Sequence, residues 1–280
     1  MTQPKRVWLI TGCSSGFGRA LAEAVIAHGD HLVATARQVE ALAELVARAP
    51  QRVLALALDV TQPESVRVAM AAAITRFNAI DVLVNNAGYG LQGAVEEISD
   101  AEARAQFDTN VFGVWNVLRA ALPHLRQAGR GHILNFSSIA GMRASAGLGG
   151  YSASKFAVEG LSEALAQEVA PLGIRVTIIE PGGFRTDWAG RSMQWATQEL
   201  PAYAATSGRL RQGLQDFHGR QAGDPARAAQ ALLRLVDMAE PPLRLPLGPD
   251  ALQGIRGKLK EVEREIAQHQ ELTLSTSFRE

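Results

Sequence analysis

The stretch "TGCSSGFGR" (11–19) follows a short apolar run, "RVWLIT" (6–11), and precedes a helical pattern over 16–28. Glycines between a strand and a helix commonly cradle a phosphate, because they allow tight turns and leave the backbone N–H groups bare. The usual dinucleotide fingerprint is G-x-G-x-x-G. Here the spacing is Gly12-x-x-x-Gly16-x-Gly18, so a plain glycine-rich turn competes with an altered phosphate loop. Gly12 suits the turn. Gly16 and Gly18 suit a close approach of helix, sheet and pyrophosphate.

The pattern outward from this loop decides the fold. Strand-like runs recur at "HLVATA" (31–36), "RVLALAL" (52–58), "DVLVNN" (81–86), "GHILNFSS" (131–138) and "IRVTIIEPG" (174–182). Helical patterns fall between them at 39–49, 63–77, 100–125 and 151–170. The runs are continuous rather than alternating, as in strands buried on both faces. That predicts a single-domain α/β fold: a doubly wound parallel sheet of Rossmann type, in three α/β/α layers. Residues 184–223 show no clear strand and are expected to form a substrate lid. Asp224 and Pro225 open a helix to 236 as N-cap and first helical residue. "PLRLPL" (242–247) is a last short strand, and 249–280 a helical extension. Leu252, Ile255, Leu259, Val262 and Ile266 form one stripe there, which must cover the same domain or a partner subunit.

Composition excludes several classes. The 280 residues carry 28 basic and 28 acidic side chains, so no basic field points to nucleic acid or an acidic membrane. No apolar run approaches a membrane span or a signal-peptide core. The single cysteine, Cys13, forms no internal disulfide, fits a cytoplasmic location and reads as a packing residue. The six histidines are scattered, and no metal site is expected.

Two features give the loop a chemistry. The second strand ends in Ala36–Arg37, where NAD sites often carry an acid. An arginine there binds a 2'-phosphate by paired charged hydrogen bonds, which favours NADP(H) over NAD(H). Tyr151 and Lys155 in "YSASKF" lie four apart, on one helical face. A tyrosine hydroxyl has a pKa of about 10 in water, so proton transfer near neutrality requires that it be lowered. A nearby ammonium and a cationic nicotinamide supply much of that. Ser138, at a strand end, is placed to hydrogen-bond a substrate oxygen.

These motifs together resemble the short-chain dehydrogenase/reductase family. The resemblance rests on "TGCSSGFG" (11–18), Asp59, "NNAG" (85–88), Asn110, Ser138, "YSASK" (151–155) and "PGGFRT" (181–186), in family order and spacing. The family's own glycine motif is G-x-x-x-G-x-G. The resemblance implies that Tyr151 is general acid in reduction and base in oxidation. It implies that Lys155 lowers the tyrosine pKa and holds the nicotinamide ribose, that Ser138 polarises the carbonyl, and that Asn110 supports a relay water. Gly12, Ser14, Ser15, Gly16, Phe17 and Gly18 would hold the pyrophosphate. Asp59 and Val60 would touch adenine. Asn86, Ala87 and Gly88 would pack beside the cofactor, and Pro181, Gly182 and Thr186 would border the nicotinamide.

The implied reaction is hydride transfer between NADP(H) and a hydrophobic ketone, aldehyde or alcohol. Phe184, Trp188, Trp195, Tyr203 and Phe217 crowd the lid and favour an apolar pocket. Arg143, Arg185 and Arg191 are read as surface residues rather than a carboxylate site. Two alternatives stay open: a catalytically silent NADP-binding sensor or scaffold, and a non-redox epimerase or dehydratase. By family habit the chain is expected to form a homodimer or homotetramer.

Overall fold

The computed structural model describes residues 5–190 and 192–278. Its elements run β1 (Val7–Ile10), α1 (Gly16–His28), β2 (His31–Ala36), α2 (Ala43–Arg48), β3 (Val53–Ala57), α3 (Pro63–Phe77), β4 (Val82–Asn85) and β5 (Gly90–Gln92). Then come α4 (Asp100–Phe107), α5 (Gly113–Ala128), β6 (Gly131–Phe136), α6 (Gly149–Val169), β7 (Ile174–Pro181) and β8 (Met193–Trp195). The chain closes with α7 (Arg209–Phe217), α8 (Pro225–Asp237), β9 (Arg244–Leu247), α9 (Pro249–Gln268) and α10 (Gln270–Leu274).

Seven strands form one parallel sheet in the order β3-β2-β1-β4-β6-β7-β9. The chain builds outward from β1 through β2 to β3, then returns to place β4 on the other side of β1. Strand order therefore reverses between β1 and β4, where such sheets open a crevice at their carboxyl ends. All four residues of β1 and of β4 are buried, which is why their sequences read as unbroken apolar runs. Separate cores fill the two faces. One gathers Trp8, Leu21, Val25, Leu32 and Leu232 under α1 and α8. The other gathers Leu9, Val33, Met70, Leu83, Val117 and Leu165 under α3, α5 and α6.

Local signals set the helix ends. Gly29, at φ +96°, ends α1 in the left-handed conformation. Pro63 opens α3. Ser99 and Glu102 form a reciprocal capping box on α4. Asp224 accepts from the N–H groups of Ala226 and Arg227, as its position before Pro225 predicts.

The structure departs from the sequence expectation at several elements. The helix expected over 39–49 opens as a 3-10 turn, Val39–Leu42. The single helix expected over 100–125 is broken by a π turn, Asp108–Phe112. The segment 184–223 does contain a strand, β8, paired in parallel with β5. On α9, Ala251 and Ile255 are buried, while Leu252, Leu259, Val262 and Ile266 of the expected stripe stay exposed. The apolar stripe thus covers its own domain through the first turns alone. Of the 249–280 extension, residues 279–280 lie outside the described residues. No described helix is long and apolar enough to cross a membrane.

Candidate active site

A cavity of about 710 Å³ opens at the carboxyl ends of the central strands, at the point of strand reversal. Its first wall is the loop after β1. Gly12 and Gly16 adopt φ of +76° and +58°, which side chains rarely tolerate. Ser15 precedes α1 in an extended conformation, and no side chain caps the helix. The first-turn N–H groups and the positive end of the helix dipole are therefore offered to an anion. Ser14, Ser15, Gly16 and Phe17 line the cavity beside Gly12.

Gly18 has another role. A Cβ there would lie 2.2 Å from the Gly12 carbonyl oxygen and 2.5 Å from Asn86 Nδ2. Gly18 is off the cavity wall and lets α1 seat directly on its own loop. Asn86 locks that loop, donating from Nδ2 to the carbonyls of Thr11 at 2.8 Å and Gly12 at 3.1 Å. Gly18→Ala is expected to cost about 1–3 kcal/mol, since the obstacle is backbone. A thermal unfolding curve checks this, and an unchanged midpoint refutes it.

Arg37, Asp59 and Val60 line one end of the cavity. Arg37 makes no hydrogen bond or ion pair among the described residues, whereas nearby Arg19 is tied to Glu23 and Glu44. Asp59 Oδ1 accepts from the backbone N and the hydroxyl of Thr61, at 2.9 and 2.8 Å. Ala87 and Gly88 line the middle.

The other end carries Ser138, Tyr151, Lys155, Pro181, Gly182 and Thr186. Ser138 follows β6, accepts from Ala140 N at 3.1 Å and donates to the Pro181 carbonyl at 3.4 Å. Tyr151 and Lys155 lie one turn apart on α6, both buried. Lys155 Nζ donates to the Phe136 carbonyl at 2.8 Å and stands 5.8 Å from the Tyr151 ring centre. Asn110 is fully buried behind the wall, inside the π turn. Its side chain brackets Tyr89, accepting from N at 3.1 Å and donating to O at 3.0 Å, and it also donates to Ser154. A π turn leaves a helix carbonyl without its usual partner, a common device at sites.

Burial sets the electrostatics of the site in the chain alone. In the chain alone, burial pushes Tyr151 up to about 12, against hydrogen bonds with Ser138 and Trp188. Burial pushes Lys155 down to about 8, against the charge of Glu159. The phenol is thus held protonated, the state a proton donor needs. Cys13 is packing material: it is fully buried, its thiol pushed up to about 12.

Two contacts of the site were not legible in the sequence, one made by Trp188, expected only as a lid aromatic, and one by Asp250. Trp188 lies against Tyr151 with ring centres 5.3 Å apart. Asp250, at the start of α9, accepts from Gly183 N at 2.6 Å and so pins the segment after β7. Both contacts come from distant chain segments, and no spacing rule reports them. Arg143 is exposed at the cavity rim. Arg185 donates to the Gln221 carbonyl, and Arg191 lies outside the described residues.

Fold and family are those of an oxidoreductase with a Rossmann-type sheet. The chain belongs to the short-chain dehydrogenase family, whose model, described as "short chain dehydrogenase", matches residues 6–197. It is 45% identical to Oxidoreductase BOA17 of Botryotinia fuckeliana, over 92% of this chain and 93% of that protein. It is 39% identical to 3-ketodihydrosphingosine reductase of Bacteroides thetaiotaomicron, over 88% of this chain and 89% of that one. Among solved structures, a short-chain dehydrogenase from Streptomyces avermitilis superposes with TM-score 0.93 at 45% identity, covering 99% of this chain and 100% of that chain. A family member from Burkholderia phymatum, solved with NAD, gives TM-score 0.83 at 27% identity, covering 95% and 97%.

Proposed function

We propose that the chain is an NADP(H)-dependent oxidoreductase that interconverts a hydrophobic ketone or aldehyde and its alcohol. The observation that carries this reading is the buried Ser138–Tyr151–Lys155 group at one end of a cavity whose other end holds Arg37, without an ion-pair partner among the described residues. The residues present fit the dinucleotide. The uncapped start of α1 and the bare Gly12–Gly16 loop suit its pyrophosphate, Asp59 and Val60 its adenine, and Arg37 a 2'-phosphate. Ala87, Gly88, Pro181, Gly182 and Thr186 suit its nicotinamide end. When bound, the nicotinamide supplies or accepts hydride.

The chain's own residues handle the proton. In reduction, Tyr151 donates its hydroxyl proton to the substrate oxygen as hydride reaches the carbonyl carbon. Ser138 donates a hydrogen bond to the same oxygen and so stabilises charge developing there. Lys155 opposes the cost of the resulting phenolate and returns the proton, with Asn110 holding the π turn from which a water can refill it. Trp188, Leu148, Leu214 and Phe217 line the substrate end and exclude water from it. That apolar wall favours a medium-sized hydrophobic substrate. The relative named for reducing 3-ketodihydrosphingosine supports the same preference.

The test is a panel of ketones, aldehydes and secondary alcohols, with NADPH and NADH in parallel, read by nicotinamide absorbance. Turnover of hydrophobic carbonyls with NADPH is the expected result. Dinucleotide binding without turnover of any member would return the sensor reading. We also place a second copy of the chain against the exposed Phe112 of the π turn, Trp115 of α5 and Phe156 of α6. Light scattering is expected to give a dimer or tetramer, and Trp115→Glu a smaller species.

A further inference from the structure

One turn beyond Lys155 on α6, Glu159 is 5% exposed, and Glu180 on β7 is 0% exposed. One nitrogen serves both. Arg244 Nε, on β9, lies 3.1 Å from Glu159 Oε2 and 3.4 Å from Glu180 Oε1. Arg244 Nη2 is engaged by Glu163, half-exposed on α6, at 2.7 Å. Three carboxyl groups therefore face one guanidinium. The Ser137 hydroxyl lies against Glu159 beside Gly141. Neither oxygen of Glu180 receives a hydrogen bond from a donor among the described residues.

A buried carboxylate without donors is costly, and two within reach of one cation repel each other. A single proton relieves both problems: the protonated group donates to its neighbour, and one net charge remains for Arg244. We propose that Glu159 and Glu180 hold one proton between them near neutral pH and, as positioning residues, use it to set the negative charge that Lys155 feels. The groups in play are Lys155 and Glu163 on α6, Ser137 after β6, and Arg244 on β9. The directions agree. Burial, then the charge of Glu159, pushes Glu180 up to about 7. Burial also raises Glu159. Glu159 in turn is the charge that opposes loss of the Lys155 proton.

The consequence is a buffer. While the shared proton is present, the pair carries one negative charge. As pH rises past neutrality the proton leaves to solvent, a second negative charge appears, and the Lys155 ammonium is held more firmly. The pair thus prolongs the charged state of Lys155 in the range where burial alone would strip it. This use of the pair rests on the role proposed for Lys155, whereas the shared proton itself does not.

Two measurements separate those parts. The first is thermal unfolding against pH for the parent and Glu180→Gln. A carboxyl raised from 4.5 to about 7 on folding keeps a proton that the unfolded chain releases. The parent should therefore lose stability as pH rises through that window, and the glutamine variant should not. The expected result is an advantage of Glu180→Gln that grows between those values and then levels. A difference that is flat with pH overturns the shared proton. If Glu180→Gln does not fold, the protonated-carboxyl band in infrared difference spectra of the parent replaces it. A band lost near neutrality supports the proposal, and its absence below neutrality overturns it. The second measurement is the pH profile of kcat/KM for Glu159→Gln. Its basic limb is expected to move to lower pH by about one unit, a tenfold change in proton affinity. An unmoved limb overturns the coupling to Lys155 and leaves the stability result intact.

Discussion

Tyr151→Phe is expected to lower kcat by about 10²–10⁴-fold, the range that positioned acid–base groups contribute, and to leave NADPH binding nearly unchanged. The ring would keep its packing on Trp188, and the cavity wall formed by Gly12, Ser14, Ser15, Gly16 and Phe17 is untouched. Only the hydroxyl is lost, with its contacts to Ser138 and Trp188. The loss should fall on kcat, since the proton moves as the transition state forms. Fluorescence titration with NADPH and single-turnover reduction of the best carbonyl separate the two quantities. A variant that keeps most of its turnover removes Tyr151 from the proposed role. The pH dependence of the parent follows from the same group. The phenol stays protonated well above neutrality, and Lys155, lowered to about 8, carries its charge below that value. Reduction should therefore hold level at lower pH and fall as pH rises through about 8.

How much of this was legible in the sequence depends on where each cause lies. The sheet was legible because strands buried on both faces leave unbroken apolar runs, as β1, β2, β4, β6 and β7 do, and the less buried β3 and β9 also fall inside the runs expected. The site wall was legible because short motifs sit at strand ends, where this topology gathers them. The π turn at Asp108–Phe112 was not, because its residues keep a helical pattern. Its cause is Asn110 reaching across to the Tyr89 backbone, a contact 21 residues away in the chain. β8 was hidden for the same reason: three residues become a strand only because Gly90–Gln92 lie beside them. The state of Tyr151 in the chain alone was not legible either: burial pushes its phenol up to about 12, and burial is not written in spacing. Asp250 and Arg244 are chemically ordinary in sequence. They gain meaning only when β9 and α9 bring them to the ends of β7.

Arg37→Asp is expected to cut kcat/KM with NADPH by about 10- to 100-fold, the size of one hydrogen bond to a charged group, and to improve the value with NADH. Among the described residues, three basic side chains line the cavity: Arg37, Arg143 and Lys155. Lys155 is committed to the Phe136 carbonyl. Arg143 borders Gly254 of α9 rather than the adenosine end. Arg37 alone follows β2 at the place where a ribose hydroxyl or its phosphate would lie. Its fork is exposed and unpaired among the described residues, so nothing must be broken to engage a phosphate. The aspartate reverses both terms, repelling the phosphate and accepting from a free ribose hydroxyl. Salt provides an independent check. An exposed Arg–phosphate contact is screened, so the parent's KM for NADPH should rise with ionic strength while its KM for NADH does not. If the parent uses both cofactors equally, or the variant keeps its preference, Arg37 is a solvated surface residue. The family fold with NAD in the Burkholderia phymatum structure then becomes the better guide to the cofactor.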